Sequence, residues 1–223
     1  QEDIKEETFI KMKNIKRIYD QNPLKFILEV YAVYLVWFFA MEKIPNRNYH
    51  IVYSKLDDYI PFYKPAILMY SSWFLMLVIP FVYLLKRKSY DNMYDIIIPM
   101  FSAMFISLII YMIYPTALDI RVTDITGNDI CAWIIKGIHK LDQPNNVCPS
   151  IHVSTTVIID NQFRRILKNK EKSKILFLLW DVGICISTML VKQHSIIDVV
   201  CGIILAHAIL FVFNKKQNTA YHY

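Results

Sequence analysis

Apolar residues in this chain come in long blocks separated by short polar stretches. Five blocks, Leu24–Met41, Ala66–Leu85, Ile96–Pro115, Ile175–Val191 and Ile196–Phe213, hold or nearly hold the residues needed for a membrane crossing. A helix rising ~1.5 Å per residue needs roughly 20 of them. A sixth block, Ile151–Leu167, is apolar only through Val157-Ile158-Ile159 and carries Ser154, Thr155, Thr156, Asp160, Asn161 and Gln162. Hydropathy leaves that block undecided.

Charge decides it, because Lys and Arg collect in cytoplasmic loops. With six crossings the inner segments are 1–23, 86–95, 164–174 and 214–223, and together with Lys25 they hold 17 of the 25 basic residues. The run Arg164, Arg165, Lys168, Lys170, Lys172, Lys174 marks the inside most strongly and demands a crossing on each side of it. The expected fold is an all-α integral membrane protein of six transmembrane helices with both termini cytosolic. Its parts are a cytosolic segment 1–23, a membrane domain 24–213 and a cytosolic tail 214–223.

Composition narrows the class further. Of 223 residues 55% are apolar and 20% charged, which rules out a disordered chain, while four cysteines and four glycines rule out a disulfide scaffold or a collagen-like repeat. The net charge of +6 follows from inside-positive loops and attraction to anionic lipid, so the expected partner is the bilayer and not nucleic acid. Of two long outer loops, 42–65 is rich in Tyr and Phe, as an interfacial belt is. In the other, Ile130, Trp133, Ile134, Gly137, Ile138 and Leu141 recur at helical spacing behind Asn128 or Asp129 as a cap. A short helix Asp129–Leu141 follows, lying in the outer interface or packed on the bundle.

Two segments place histidines at the same membrane face. Cys148-Pro149-Ser150-Ile151-His152 stands at the mouth of the fourth span, and Ser187-Thr188 through Lys192 and His194 to Asp198 spans the turn between the fifth and sixth. His194 and Asp198, four apart, share a helical face, so the carboxylate can take one ring nitrogen and leave the other as nucleophile or base.

These segments resemble the type 2 phosphatidic acid phosphatase (PAP2) superfamily. Its signatures are Lys–six residues–Arg–Pro, Pro-Ser-Gly-His, and Ser-Arg–five residues–His–three residues–Asp. Here the second reads Pro149-Ser150-Ile151-His152, the third Ser187-Thr188 with His194 and Asp198, and the first keeps only Arg121. Tyr114 stands for the signature Lys, Val122 for the Pro, Ile151 for the Gly and Thr188 for the Arg.

The resemblance implies a six-helix lipid phosphatase with its site in 114–198. His194 would become a phosphohistidine, Asp198 would orient it, and His152 would protonate the leaving oxygen. Arg121, Ser150 and backbone N–H groups near Ile151 would hold the phosphoryl oxygens, with Lys192 as a further cation and Tyr114 and Thr188 as substitutes at the eroded positions. It implies no cofactor and no metal, and a phospholipid or an isoprenoid or sphingolipid phosphate as substrate, met on the extracytoplasmic side of a plasma membrane, here taken as bacterial. Two signature cations are missing, which suits a phosphodiester, and the segment looks most like the inositol phosphorylceramide synthase-type phosphotransferases. Headgroup transfer and a catalytically inactive lipid- or partner-binding protein are the competing expectations.

Two polar features lie outside these motifs. Asp181 and His207 are equally far from His194 along the chain, so an antiparallel hairpin sets them at one depth and a buried pair is one reading. Against it, His207 is nine residues from Asp198 and faces nearly the opposite way, and the other reading bonds Asp181 to a neighbouring hydroxyl or water. Cys131 and Cys148 both fall on the outer side, where a pair can oxidise.

Overall fold

The computed structural model describes residues 14–44 and 47–220; the expected ends of the cytosolic segments, 1–13 and 221–223, lie outside the described residues. A helix α1 (residues 14–21) leads into α2 (Pro23–Glu42). Asn22 starts α2 by accepting the Lys25 N–H, with Pro23 in the first turn, where its missing N–H costs nothing. The second apolar block is broken into α3 (Ile67–Ser71) and α4 (Trp73–Lys86). At the break Ser72 Oγ donates to Met69 O (2.6 Å) and accepts the Trp180 indole N–H (2.7 Å). There follow α5 (Tyr90–Ile113), α6 (Ile130–Leu141), α7 (Ile151–Ile166), α8 (Glu171–Leu190) and α9 (Ile196–Ala220). Two short strands, β1 (His50–Ile51) and β2 (Thr116–Ala117), pair in parallel with His50 opposite Thr116 and tie the two long loops together.

Five segments, Pro23–Met41, Lys64–Lys86, Tyr90–Ile113, Glu171–Leu190 and Ile196–Lys215, are long and apolar enough to cross a membrane, and the chain has the character of a multi-pass membrane protein. Large apolar side chains such as Leu28, Val36, Phe74, Leu179 and Phe211 stand exposed along them, as lipid contact requires. The sixth expected block forms a helix where the sequence places it, but α7 is not among the five.

α7 is instead the centre of the bundle, packed against α4, α5, α8 and α9. Eleven of its sixteen residues are buried. Its polarity is satisfied from within: Thr155 Oγ1 donates to Ile151 O (2.6 Å), Thr156 Oγ1 to His152 O (2.7 Å), and Gln162 Nε2 to Asp95 O on α5 (3.1 Å). Asp160 takes a bidentate ion pair from Arg164 one turn on. Hydroxyls bonded to their own helix present few unmet groups, so a helix that hydropathy undervalues sits in an apolar bundle.

A crevice of ≈ 420 Å³ opens between α7, α8 and α9, lined by Val157, Asp160, Arg164, Asp181, Cys185 and His207 among others. Of the two readings of Asp181 and His207, the ion pair is not formed. Asp181 accepts the Cys185 thiol (3.6 Å) and the His207 Nδ1 bonds the Ile203 carbonyl of its own helix (2.9 Å), so the two line one crevice without an ion pair.

Candidate active site

The N-terminus of α7 and the α8–α9 turn meet at one end of the bundle. Ser150 caps α7, its Oγ accepting the Val153 N–H (3.3 Å), while its own N–H donates to Asp198 O (3.1 Å). Tyr111, buried on α5, donates its hydroxyl to Pro149 O (2.5 Å). Across the turn, the Thr188 carbonyl accepts the N–H groups of Gln193 (3.0 Å) and His194 (3.2 Å), and Lys192 takes a left-handed φ of 54°. The seam between the two segments is close. A Cβ at Gly202 of α9 would lie 2.9 Å from Ser150 O and 3.1 Å from Val153 Cβ, so only glycine lets α9 approach α7 here.

This packing brings the two histidines together, with ring centroids 5.7 Å apart. His194, 7% exposed, has its Nδ1 3.4 Å from Asp198 Oδ2. That oxygen also accepts the Ser195 N–H (2.9 Å), and Asp198 is fully buried. The aspartate therefore holds one ring nitrogen and leaves Nε2 available. His152 lies between Tyr70, whose hydroxyl is 3.1 Å from Nε2, and Trp73, whose ring centroid is 4.4 Å away. Trp73 is itself fixed by an indole N–H bond to Thr155 Oγ1 (3.0 Å).

The groups expected around the phosphoryl oxygens divide. Ser150 and the first-turn N–H groups at Ile151 and His152 stand at a helix N-terminus, a position that favours anions. Arg121 is close by but engaged: Nη1 donates to Asp142 O (2.7 Å), Nη2 donates to Gln193 Oε1, and Asp142 Oδ2 is 3.9 Å away. Lys192 donates its ammonium to the Asp57 carbonyl (2.7 Å), which makes it a brace between loop and turn. Tyr114 stacks on His50 with centroids 4.1 Å apart, and Thr188 bonds its hydroxyl back to Cys185 O (2.7 Å). Neither side chain replaces the signature cation at its position.

Several residues at the site carry no sequence signal. Tyr70 and Trp73 come from the second apolar block, where aromatics look like ordinary span residues. Gln193 links Arg121 to His139 of α6 (Nε2 to Nε2, 2.9 Å). Asp57 lies in a short 3₁₀ turn, Lys55–Tyr59, of the Tyr-rich loop and is 1% exposed. Asp142, with only an ordinary loop position to show, completes the neighbourhood of Arg121. Burial pushes the Asp142 carboxyl up against the pull of Arg121, and burial, then Arg121, pushes the His139 imidazole down.

α6 forms as expected, with Asp129 as its cap (Ala132 N–H to Oδ1, 3.1 Å). Of its two expected roles, packing on the bundle is present, and the opposite face is exposed. Ala132 and Ile135 are buried against Ile67, Tyr70 and Val191, while Ile130, Trp133 and Leu141 stand out. Lys64 bridges to Asp129 and fastens α6 to the loop before α3. All four cysteines are free thiols, and Cys148 lies beside Cys201 and Asp198, not against Cys131; burial pushes its thiol up. Among the described residues no group of three or more His, Cys, Asp or Glu is placed to hold a metal ion.

Fold and site define a class: a multi-pass helical membrane protein with two histidines and a histidine-bound aspartate gathered at one end of the bundle. Comparison adds a family likeness. Residues 124–221, the stretch that holds Ser150, His152, His194 and Asp198, match the profile of the PAP2 superfamily. That superfamily comprises phosphatases and phosphotransferases acting on phosphate esters. The match leaves out Tyr114 and Arg121. Comparison with curated proteins and with solved structures returns no match.

Proposed function

We propose that the protein is an integral membrane lipid phosphatase that works through a phosphohistidine on the extracytoplasmic face of the membrane. The carrying observation is the 5.7 Å approach of His152 and His194 with Asp198 on the Nδ1 of the latter. His194 Nε2 attacks phosphorus, the P–O ester bond breaks, and protonated His152 gives its proton to the departing alkoxide. Water then attacks phosphorus, passes a proton to His152, and the P–N bond breaks to free phosphate. Asp198 stabilises the positive charge on the phosphorylated ring. The Ser150 hydroxyl and the first-turn N–H groups of α7 meet the charge that spreads over the equatorial oxygens. In this reading α7 is a sixth crossing, both termini are cytosolic, and lipid arrives sideways beneath α6.

One observation favours headgroup transfer as a second reading. Arg121 already serves Gln193 and Asp142, and Lys192 serves Asp57, so the pocket has little positive charge to spare for a dianion and suits a singly charged phosphodiester. The likeness to inositol phosphorylceramide synthases belongs to this reading.

Phosphorus-radiolabelled phosphatidic acid in mixed micelles tests the proposal. Wild-type protein should yield an acid-labile labelled protein and free phosphate, and His194→Ala should lose both, by about 10⁴-fold or more in rate. Equal phosphate release by His194→Ala overturns the assignment. A new labelled lipid on addition of an acceptor alcohol would make the protein a transferase.

A further inference from the structure

The turn that carries His194 is fastened by a residue far away in sequence. Asp57 Oδ2 accepts the Ser195 hydroxyl (2.7 Å) and Oδ1 accepts the Ile196 N–H (2.9 Å), across 138 and 139 residues. The same carboxylate takes the Ser54 N–H (2.8 Å), closing a capping box with Ser54, and its backbone carbonyl takes the Lys192 ammonium (2.7 Å). Tyr63 N–H adds a bond to Leu190 O (2.8 Å) at the end of α8. The loop thus grips the α8–α9 turn on both sides of His194.

We infer that Asp57 is a positioning residue for the nucleophile, acting as the cap of α9 from another part of the chain. An α-helix begins with N–H groups that lack helical partners, and a carboxylate meeting one of them fixes the first turn and complements the helix dipole. Here the first turn contains Asp198. Its Oδ2 holds both the Ser195 N–H and His194 Nδ1, so a shift of Ser195 moves the aspartate and the ring together. Asp57 touches neither histidine. Its effect is to keep Nε2 of His194 aimed while leaving the pocket itself unchanged. A buried carboxylate with three donors is also costly to strip of its partners, which explains a rigid anchor in a loop.

The inference rests on His194 as nucleophile, and single-turnover labelling with the same radiolabelled phosphatidic acid separates the two claims. In Asp57→Ala the rate of protein labelling should fall about 10- to 100-fold, the scale of a small misplacement of a reacting group, with the final labelled fraction unchanged. Asp57→Asn keeps an acceptor for the Ile196 N–H and should recover most of the rate. Ser195→Ala deletes one donor and should slow labelling less than Asp57→Ala, with the double variant no slower than Asp57→Ala alone. An unchanged rate in Asp57→Ala and Ser195→Ala overturns the inference. So does a smaller labelled fraction at wild-type rate in all three variants, which is what a purely structural role gives. Wild-type protein that never takes label overturns the phosphohistidine reading and the positioning role with it.

Discussion

The two histidine segments are built by opposite means. His152 stands in the first turn of α7, set by Ser150 two residues before it and by the cap that Ser150 makes with Val153. His194 stands in a turn whose shape comes from elsewhere: the Thr188 carbonyl beneath it, Asp57 of the first loop bracing it and taking the Lys192 ammonium, and Tyr63 bonded at Leu190. A local cap sets the backbone of the first arm, while chain-distant contacts set that of the second, and a site that joins both is as rigid as its more remote support.

Among variants that leave His194 in place, removing the imidazole of the locally built arm should have the largest effect. His152→Ala should slow phosphate release by about 10²- to 10⁴-fold, the usual worth of a general acid, because both the proton for the leaving oxygen and the base for water are lost. Steady-state phosphate release checks it.

The seam between the arms comes next. Gly202→Ala puts a methyl group 2.9 Å from Ser150 O, against backbone that cannot swing away, and overpacking of this kind costs about 1–3 kcal/mol. Thermal unfolding in detergent should show a midpoint several degrees lower. An unchanged midpoint would mean that the arms are not pressed together there.

The smallest effect should lie at the rim. The Lys64 ammonium, and then the Ala132 N–H, hold the Asp129 carboxyl below its ordinary value of 3.8. Depression of an acid's folded value adds stability above the unfolded value and loses it as pH falls through the folded one. Wild-type midpoints should therefore drop as pH falls below about 4, and Asp129→Asn should flatten that part of the curve. Midpoints measured across that range check the sign.

Much of the bundle is legible in the sequence. The first block, Leu24–Met41, becomes α2 nearly residue for residue, because Asn22 and Pro23 announce its start. The break in the second block is not legible: Ser72 interrupts it by bonding Met69 and Trp180, and neither contact has a spacing rule. His152, His194 and Asp198 are legible because helical periodicity and motif spacing bring them together. Asp57, Tyr70 and Gln193 are not, since each reaches the site through tertiary packing. Arg121 and Lys192 illustrate the limit from the other side. Their charge is visible in the chain, but the structure alone shows Gln193, Asp142 and Asp57 already occupying it.

The polar middle helix has a consequence for how the protein is made. At 16 residues α7 extends about 24 Å, and its row of Ser and Thr gains little from hydrocarbon by itself. Two of the helices that shield it, α8 and α9, emerge from the ribosome afterwards. Its placement therefore waits for chain not yet synthesised, and the end of the bundle that holds the two histidines is among the last parts to be completed.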